Sequence, residues 1–325
     1  MSRDFEFERP ILELEKRLSE LQSLSEDGHI DLSKEINAIS EKIQTLKAEI
    51  FKGLEPWQVT QVARHIDRPS TLDYVKLLCG DEFVEMHGDR LFGDDPAIVG
   101  GPALIGGHRV MLIGHQKGHD TDENLLRNFG MPHPEGYRKA LRLMKFAERF
   151  HLPIVVFIDT PGAFPGIGAE ERGQSEAIAR NLAEMSQISV PILCFVIGEG
   201  GSGGALALGI GDRVFMLEYA IYSVISAEGC AAILWKDAAK AKEAAVALKI
   251  RSANLLELGI IDGVLPEPMG GAHRDHATTA DVIRKTIEEH LPALLAMPCT
   301  ELVEKRYAKF RAMGQFRFAQ DALDG

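Results

Sequence analysis

Two segments of this chain repeat one design. LPIVVFIDTPGAFPG from Leu152 and VPILCFVIGEGGSGG from Val190 place Pro, Ile and Phe at equal offsets (Pro153, Ile154, Phe157; Pro191, Ile192, Phe195), 38 residues apart. Each is a short apolar run that ends in glycines, which predicts a buried strand, a glycine-rich turn and a helix. Ile178, Leu182 and Met185 at i, i+4 and i+7 give the intervening helix its apolar stripe, starting from about Glu170. An earlier unit, RVMLIGHQKG from Arg109, also ends its strand in a glycine-containing turn; after NFGMPHPEG it continues into the helix YRKALRLMKFAERF. A later strand pair, RVFMLEYAIYSVIS from Arg213, has no such turn. Short apolar runs that end in glycine turns and are followed by helical patterns are the signature of an α/β fold.

The first fifty residues differ in texture. Ile11, Leu14, Leu18 and Leu21, then Ile36, Ile39, Ile43, Leu46 and Ile50, step by three and four, which makes two short heptad seams. SLSEDGHIDLS between them predicts that the two helices fold back as an antiparallel hairpin, packing on each other and on the body or holding a partner subunit. The last third is read as mostly helical, over 237–248, 279–290 and 302–313.

Composition narrows the function classes. With 325 residues and a net charge of −12, the chain can bury a real core, and its acidity argues against bulk binding to nucleic acid or to anionic membranes. Cys79, Cys194, Cys230 and Cys299 form no CxxC pair, so no structural zinc is expected in this chain. The start MSRDFEFERP lacks the basic and apolar regions of a signal peptide, and the longest apolar run, from Val190 to Ile197, is too short to span a membrane. A cytoplasmic protein is expected.

Three motifs compete for the glycine turns. Gly198, Gly200 and Gly203 satisfy GxGxxG, with Glu218 downstream as a ribose carboxylate, which would make a dinucleotide site. Gly200, Ser202 and Gly204 satisfy GxSxG, with Asp262, His273 and His276 as candidate triad partners, which would make Ser202 the nucleophile of a serine hydrolase. DTPG from Asp159 resembles a nucleotide-switch motif, but the chain has no GK dipeptide and hence no phosphate loop. A backbone reading explains both turns together. Glycines opening a helix leave N–H groups without intrahelical acceptors at the positive end of the helix dipole, and such donors stabilise negative charge developing on a carbonyl oxygen.

The stretches GHQKG, NFGMPHPEGYRKALRLMKFAERF, FIDTPGAFPGIGAEERGQSEAIARNLAEMS, GEGGSGGALALG, YSVISAEGCAAILWK and LPEPMGGAHR closely resemble the alpha subunits of bacterial acetyl-coenzyme A carboxylase carboxyltransferases. The resemblance covers nearly the whole chain and implies a crotonase-like spiral of ββα units over 56–325, C-terminal helices included, with the hairpin of 1–55 serving subunit assembly. It implies transfer of a carboxyl group from carboxybiotin to acetyl-CoA, giving malonyl-CoA for fatty-acid biosynthesis. The implied partners are a beta subunit in an α2β2 assembly, the biotin carboxyl carrier protein, and an ATP-dependent biotin carboxylase in the holo complex. Biotin would arrive on its carrier, with nothing bound covalently to this chain and zinc only in the beta subunit. The resemblance maps an oxyanion hole for carboxybiotin onto the backbone N–H groups of Gly203 and Gly204, with Gly200, Gly201 and Ala205 as neighbours. Gly162, Ala163 and Phe164 would line the opposite wall, with His115, Gln116 and Lys117 nearby. On this reading a bulkier residue at Gly204 abolishes transfer and leaves folding largely intact, and Ser202 becomes a linker between glycine pairs. Arg138, Arg142, Lys145 and Arg149 share one helix face, either solvated or attracting CoA phosphates or the carrier.

Overall fold

The structure, a computed structural model, describes residues 5–28 and 31–314. The heptad runs form the helices Arg9–Gly28 and Ser33–Lys52, tied to each other by Lys47 Nζ and Glu15 at 2.6 Å. Ile11, Ile43 and Phe51 are buried in one cluster with Leu54, Val59, Val62, Ile221, Ala227 and Ala244. The apolar seam therefore lies down on the body as well as on itself.

Among the described residues seven strands form one sheet: β1 (Ile98–Ile105), β2 (His108–His115), β3 (Ile154–Thr160), β4 (Ile192–Gly201), β5 (Arg213–Leu217), β6 (Ile221–Ser223) and β7 (Gly263–Leu265). Their order is β1-β2-β3-β4-β5-β7, with β6 also on β4. The β1–β2 pair is antiparallel and turns at Gly106 and Gly107, both with positive φ; the other pairs are parallel. Parallel pairing needs crossovers, and the helices Pro134–Arg149 and Gln174–Met185 supply them on either side of β3. Every residue of β3 and β4 is buried, Asp159 and Glu199 near their ends included.

The sequence repeat is a register. Ile154 lies opposite Ile192 and Phe157 opposite Phe195, as far as Ile158 opposite Val196. There the pairing slips, so that Thr160 faces Gly200 and β4 carries two residues more than β3 over this stretch.

The helix expected from Glu170 is two pieces, Ile167–Glu171 and Gln174–Met185, because Gly173 sits at φ 83° between them. The C-terminal third holds the helices Ala241–Ala247, His276–Leu295 and Cys299–Arg311. The last is anchored by Arg306, fully buried, whose guanidinium donates to both Asp212 carboxylate oxygens and to the carbonyls of Met185, Ile188 and Val190 at 2.7–3.0 Å.

Candidate functional site

The two glycine turns touch each other through backbone. A methyl group at Gly204 would lie 2.5 Å from the Gly162 carbonyl carbon and 2.7 Å from the Ala163 nitrogen, and one at Gly201 would collide with the Pro161 carbonyl. Thr160 Oγ1 braces the first turn, accepting from the Gly162 N–H at 3.1 Å and donating to the Gly162 carbonyl at 2.8 Å. The second turn opens the short helix Ser202–Leu206, so Gly203 and Gly204 fall in its first turn, where N–H groups have no intrahelical acceptor. Gly200, Gly201, Gly204 and Ala205 are buried and Gly203 is half-buried. A larger residue at Gly204 therefore requires the two turns to part.

Beside the turns lies a cleft of about 540 Å³, meeting them at Pro161 and lined by Arg64, Arg68, Lys117, His119, Asp159 and Glu199 among others. Asp159 and Glu199 each sit just before a glycine turn, and the slip between β3 and β4 brings them together: the Glu199 N–H donates to Asp159 Oδ1 at 2.9 Å. Lys117 joins both, 2.7 Å from Asp159 and 3.5 Å from Glu199, and Arg64 continues the chain from Glu199 to Glu228, each at 2.6 Å. Burial alone would lower the Lys117 pKa, but the two carboxylates outweigh it and hold the ammonium above its ordinary range. Burial likewise opposes ionisation of Glu199, and the Lys117 and Arg64 charges win, keeping its carboxyl low. On the cleft wall, Asp73 accepts from His119 at 2.7 Å and raises its imidazole to about 9, so His119 is a cation at neutral pH.

The residues mapped by resemblance take different places. Lys117 lines the cleft. His115 is fully buried, and desolvation pushes its imidazole down to about 3, with the Gly204 and Phe157 backbone nearby opposing the shift. Gln116 is buried and fully engaged, donating to Ser70 Oγ and the Lys117 carbonyl and accepting from the Leu72 N–H. Both therefore stand behind the turns. Phe164 stacks on His133 with ring centres 4.1 Å apart.

Ser202 is exposed at φ 53°, and no imidazole or carboxylate bonds its hydroxyl among the described residues. Of the candidate partners, Asp262 accepts from the Val214 N–H, His276 bonds the Asp67 carbonyl, and His273 is stacked on His65 at 4.0 Å with its ring nitrogens buried; none of them bonds Ser202. The hydrolase alternative thus lacks its triad. Glu218 accepts from the Glu267 N–H. The basic face is largely used internally, with Arg138 on Asp89, Arg142 on the Gly88 carbonyl and Lys145 on Glu184. Sequence reasoning missed Arg64, Glu199 and His119. Glu199 had a readable signal, a carboxylate before the turn like Asp159, whereas Arg64 stands 135 residues from its partner.

The sequence profile of a family described as acetyl co-enzyme A carboxylase carboxyltransferase-like matches residues 4–314. The chain is 58% identical over 311 residues to the acetyl-coenzyme A carboxylase carboxyl transferase subunit alpha of Geobacter metallireducens, covering 96% of this chain and 97% of the relative. It is 56% identical over 323 residues to the same subunit of Halalkalibacterium halodurans, covering 99% of each. Among solved structures, one chain of a Pseudomonas malonate decarboxylase hetero-tetramer in complex with coenzyme A superposes with a TM-score of 0.57 at 18% identity, over 73% of this chain and 94% of that one. The transcarboxylase 12S core matches with a TM-score of 0.54 at 21% identity, over 76% of this chain and 42% of its own. At such identities the structures establish the fold, which is crotonase-like, and the sequence relatives establish the lineage: the chain belongs to the family of acetyl-coenzyme A carboxylase carboxyltransferase alpha subunits.

Proposed function

We propose that this carboxyltransferase subunit forms the biotin-side half of the transfer site, with the N–H groups of Gly203 and Gly204 as its oxyanion hole. The observation that carries this reading is the backbone contact between the two glycine turns. Release of CO₂ from carboxybiotin leaves negative charge on the ureido oxygen, and preorganised N–H donors lower the energy of that charge with no side chain at the spot. Gly162 and Ala163 fix the distance across the hole, and Asp159 and Glu199, clamped by Lys117, hold the two strand ends that carry the turns. The cleft at Pro161 is then the place for the biotin ring. No side-chain base is required of this chain if the ureido nitrogen takes the proton from the acetyl carbon as that carbon gains the carboxyl group.

On this reading acetyl-CoA and the enolate hole belong to a beta subunit, which also carries the zinc, in an α2β2 assembly served by the carrier protein and biotin carboxylase. No helix among the described residues is long and apolar enough to cross a membrane. The test is reconstitution. This chain co-purified with a beta subunit should make malonyl-CoA from acetyl-CoA and carboxylated carrier protein. Neither subunit should do so alone, and turnover by this chain by itself would refute the half-site.

A further inference from the structure

Asn128, Phe129 and Gly130 all take left-handed backbone, at φ 50°, 55° and 73°. Glycine adopts that conformation freely and asparagine tolerates it, but an aromatic residue held there is strained, and such strain persists only where the surroundings impose it. Here they do. The Gly130 N–H donates to the Arg127 carbonyl and the Met131 N–H to the Asn128 carbonyl, each at 2.9 Å, and Arg127 Nη1 is pinned to the Pro96 carbonyl. A methyl at Gly130 would lie 2.7 Å from Lys117 Cγ and 3.2 Å from the Asp159 carbonyl oxygen, so the segment is pressed against the first turn and its clamp. The outcome is a phenyl ring 47% exposed on the cleft wall, with no aromatic stacked on it among the described residues.

Resting on the reading of the cleft as the biotin site, we propose that Phe129 is a specificity-determining platform against which the bicyclic ureido ring of biotin packs. The charges favour this ligand over the nucleotide end of CoA. Each cationic side chain lining the cleft is already answered: Arg64 by Glu199 and Glu228, Arg68 by Glu267, Lys117 by Asp159 and His119 by Asp73. A multiply charged phosphate gains little from paired cations. A neutral ring beside Pro161, with its oxygen toward the turns, gains an apolar face from Phe129 and suffers no charge mismatch.

The test uses the complex with its beta subunit in the reverse direction. The carboxyl group leaves malonyl-CoA for a ureido nitrogen of free biotin, and the proton of that nitrogen ends on the acetyl carbon. Phe129→Ala should raise KM for biotin at least tenfold and leave KM for malonyl-CoA within twofold, and Phe129→Trp and Phe129→Tyr should restore it. Phe129→Gly should raise KM for biotin as far as the alanine variant does while raising Tm, because glycine relieves the left-handed strain; a purely structural role would lower both stability and turnover. An unchanged biotin KM, or a rise confined to malonyl-CoA, overturns the platform. Gly204→Ala in the same assay separates the two claims. If it loses turnover while Phe129→Ala binds biotin normally, the platform alone fails. If Gly204→Ala transfers at the full rate, the reading of the site itself fails.

Discussion

Exchanging single hydrogens for methyl groups at Gly203 and Gly204 gives a differential test of the glycine turns. At Gly204 the methyl would stand 2.5 Å from the Gly162 carbonyl carbon. Restoring ordinary contact requires the turns to separate by roughly 0.9 Å. A displacement near 1 Å at a reacting centre costs about 10²-fold, and loss of one oxyanion donor costs about 10²–10³ in kcat, or ~3–4 kcal/mol of transition-state stabilisation. The overpacked contact should also destabilise the fold by about 1–3 kcal/mol. At Gly203 the methyl would meet only Ile178, at 3.7 Å, an ordinary contact, and the N–H donor survives. Carboxyl transfer in the reconstituted complex should therefore fall by at least ~10²-fold in Gly204→Ala and stay within about threefold in Gly203→Ala, with thermal melts showing a loss only in the former. Full turnover by Gly204→Ala would refute the oxyanion assignment, and equal losses in both variants would refute the argument that the spacing between turns matters.

Four further perturbations probe the surroundings. Lys117→Met leaves Asp159 and Glu199 buried around a missing charge and should cost about 3–5 kcal/mol in urea unfolding; adding Asp159→Asn should recover part of that loss. His119 titrates at about 9, above its ordinary 6.5, so its bond to Asp73 stabilises the fold fully below pH 6.5 and progressively less as the pH rises through 9. With both partners about a third exposed, a stability gap of ~1–2 kcal/mol between wild type and His119→Asn at pH 6 should close by pH 10. His115 and His273 are held neutral, at about 3 and about 2, mainly by burial, so unfolding takes up two protons between pH 6 and 4. Stability should fall by about 2.7 kcal/mol per pH unit there, and replacing either histidine with Asn should halve that contribution to the slope. Arg306→Met removes all five donors from the buried Asp212 and three carbonyls and should lower stability by about 3–5 kcal/mol, whereas a loss below 1 kcal/mol would show that the last helix is not anchored there.

What could be read in the sequence follows from which forces are local. The offsets of Ile154 and Phe157 against Ile192 and Phe195 became a strand register, because a buried parallel sheet aligns like residues on one face. The hairpin helices were legible from their three-four spacing, and the glycine turns from their density. The break at Gly173 was not, because the apolar stripe from Ile178 continues smoothly and only the positive φ of one residue interrupts the helix. His115 and Gln116 stood beside Lys117 in a motif that gives no hint of depth. Burial of one strand end separates them, sending two side chains behind the turns and one into the cleft.

The charged clamp was illegible for a deeper reason, since it exists where the repeat fails. Under strict repetition Asp159 would fall opposite Ile197, an apolar residue that could neither share Lys117 nor reach Arg64. The two residues by which β4 outruns β3 move Glu199 into that place, and a slip in an otherwise regular sheet re-aims side chains at the strand ends. The same slip sets Gly201 against Pro161, so the feature that brings the carboxylates together also sets how closely the glycine turns can approach.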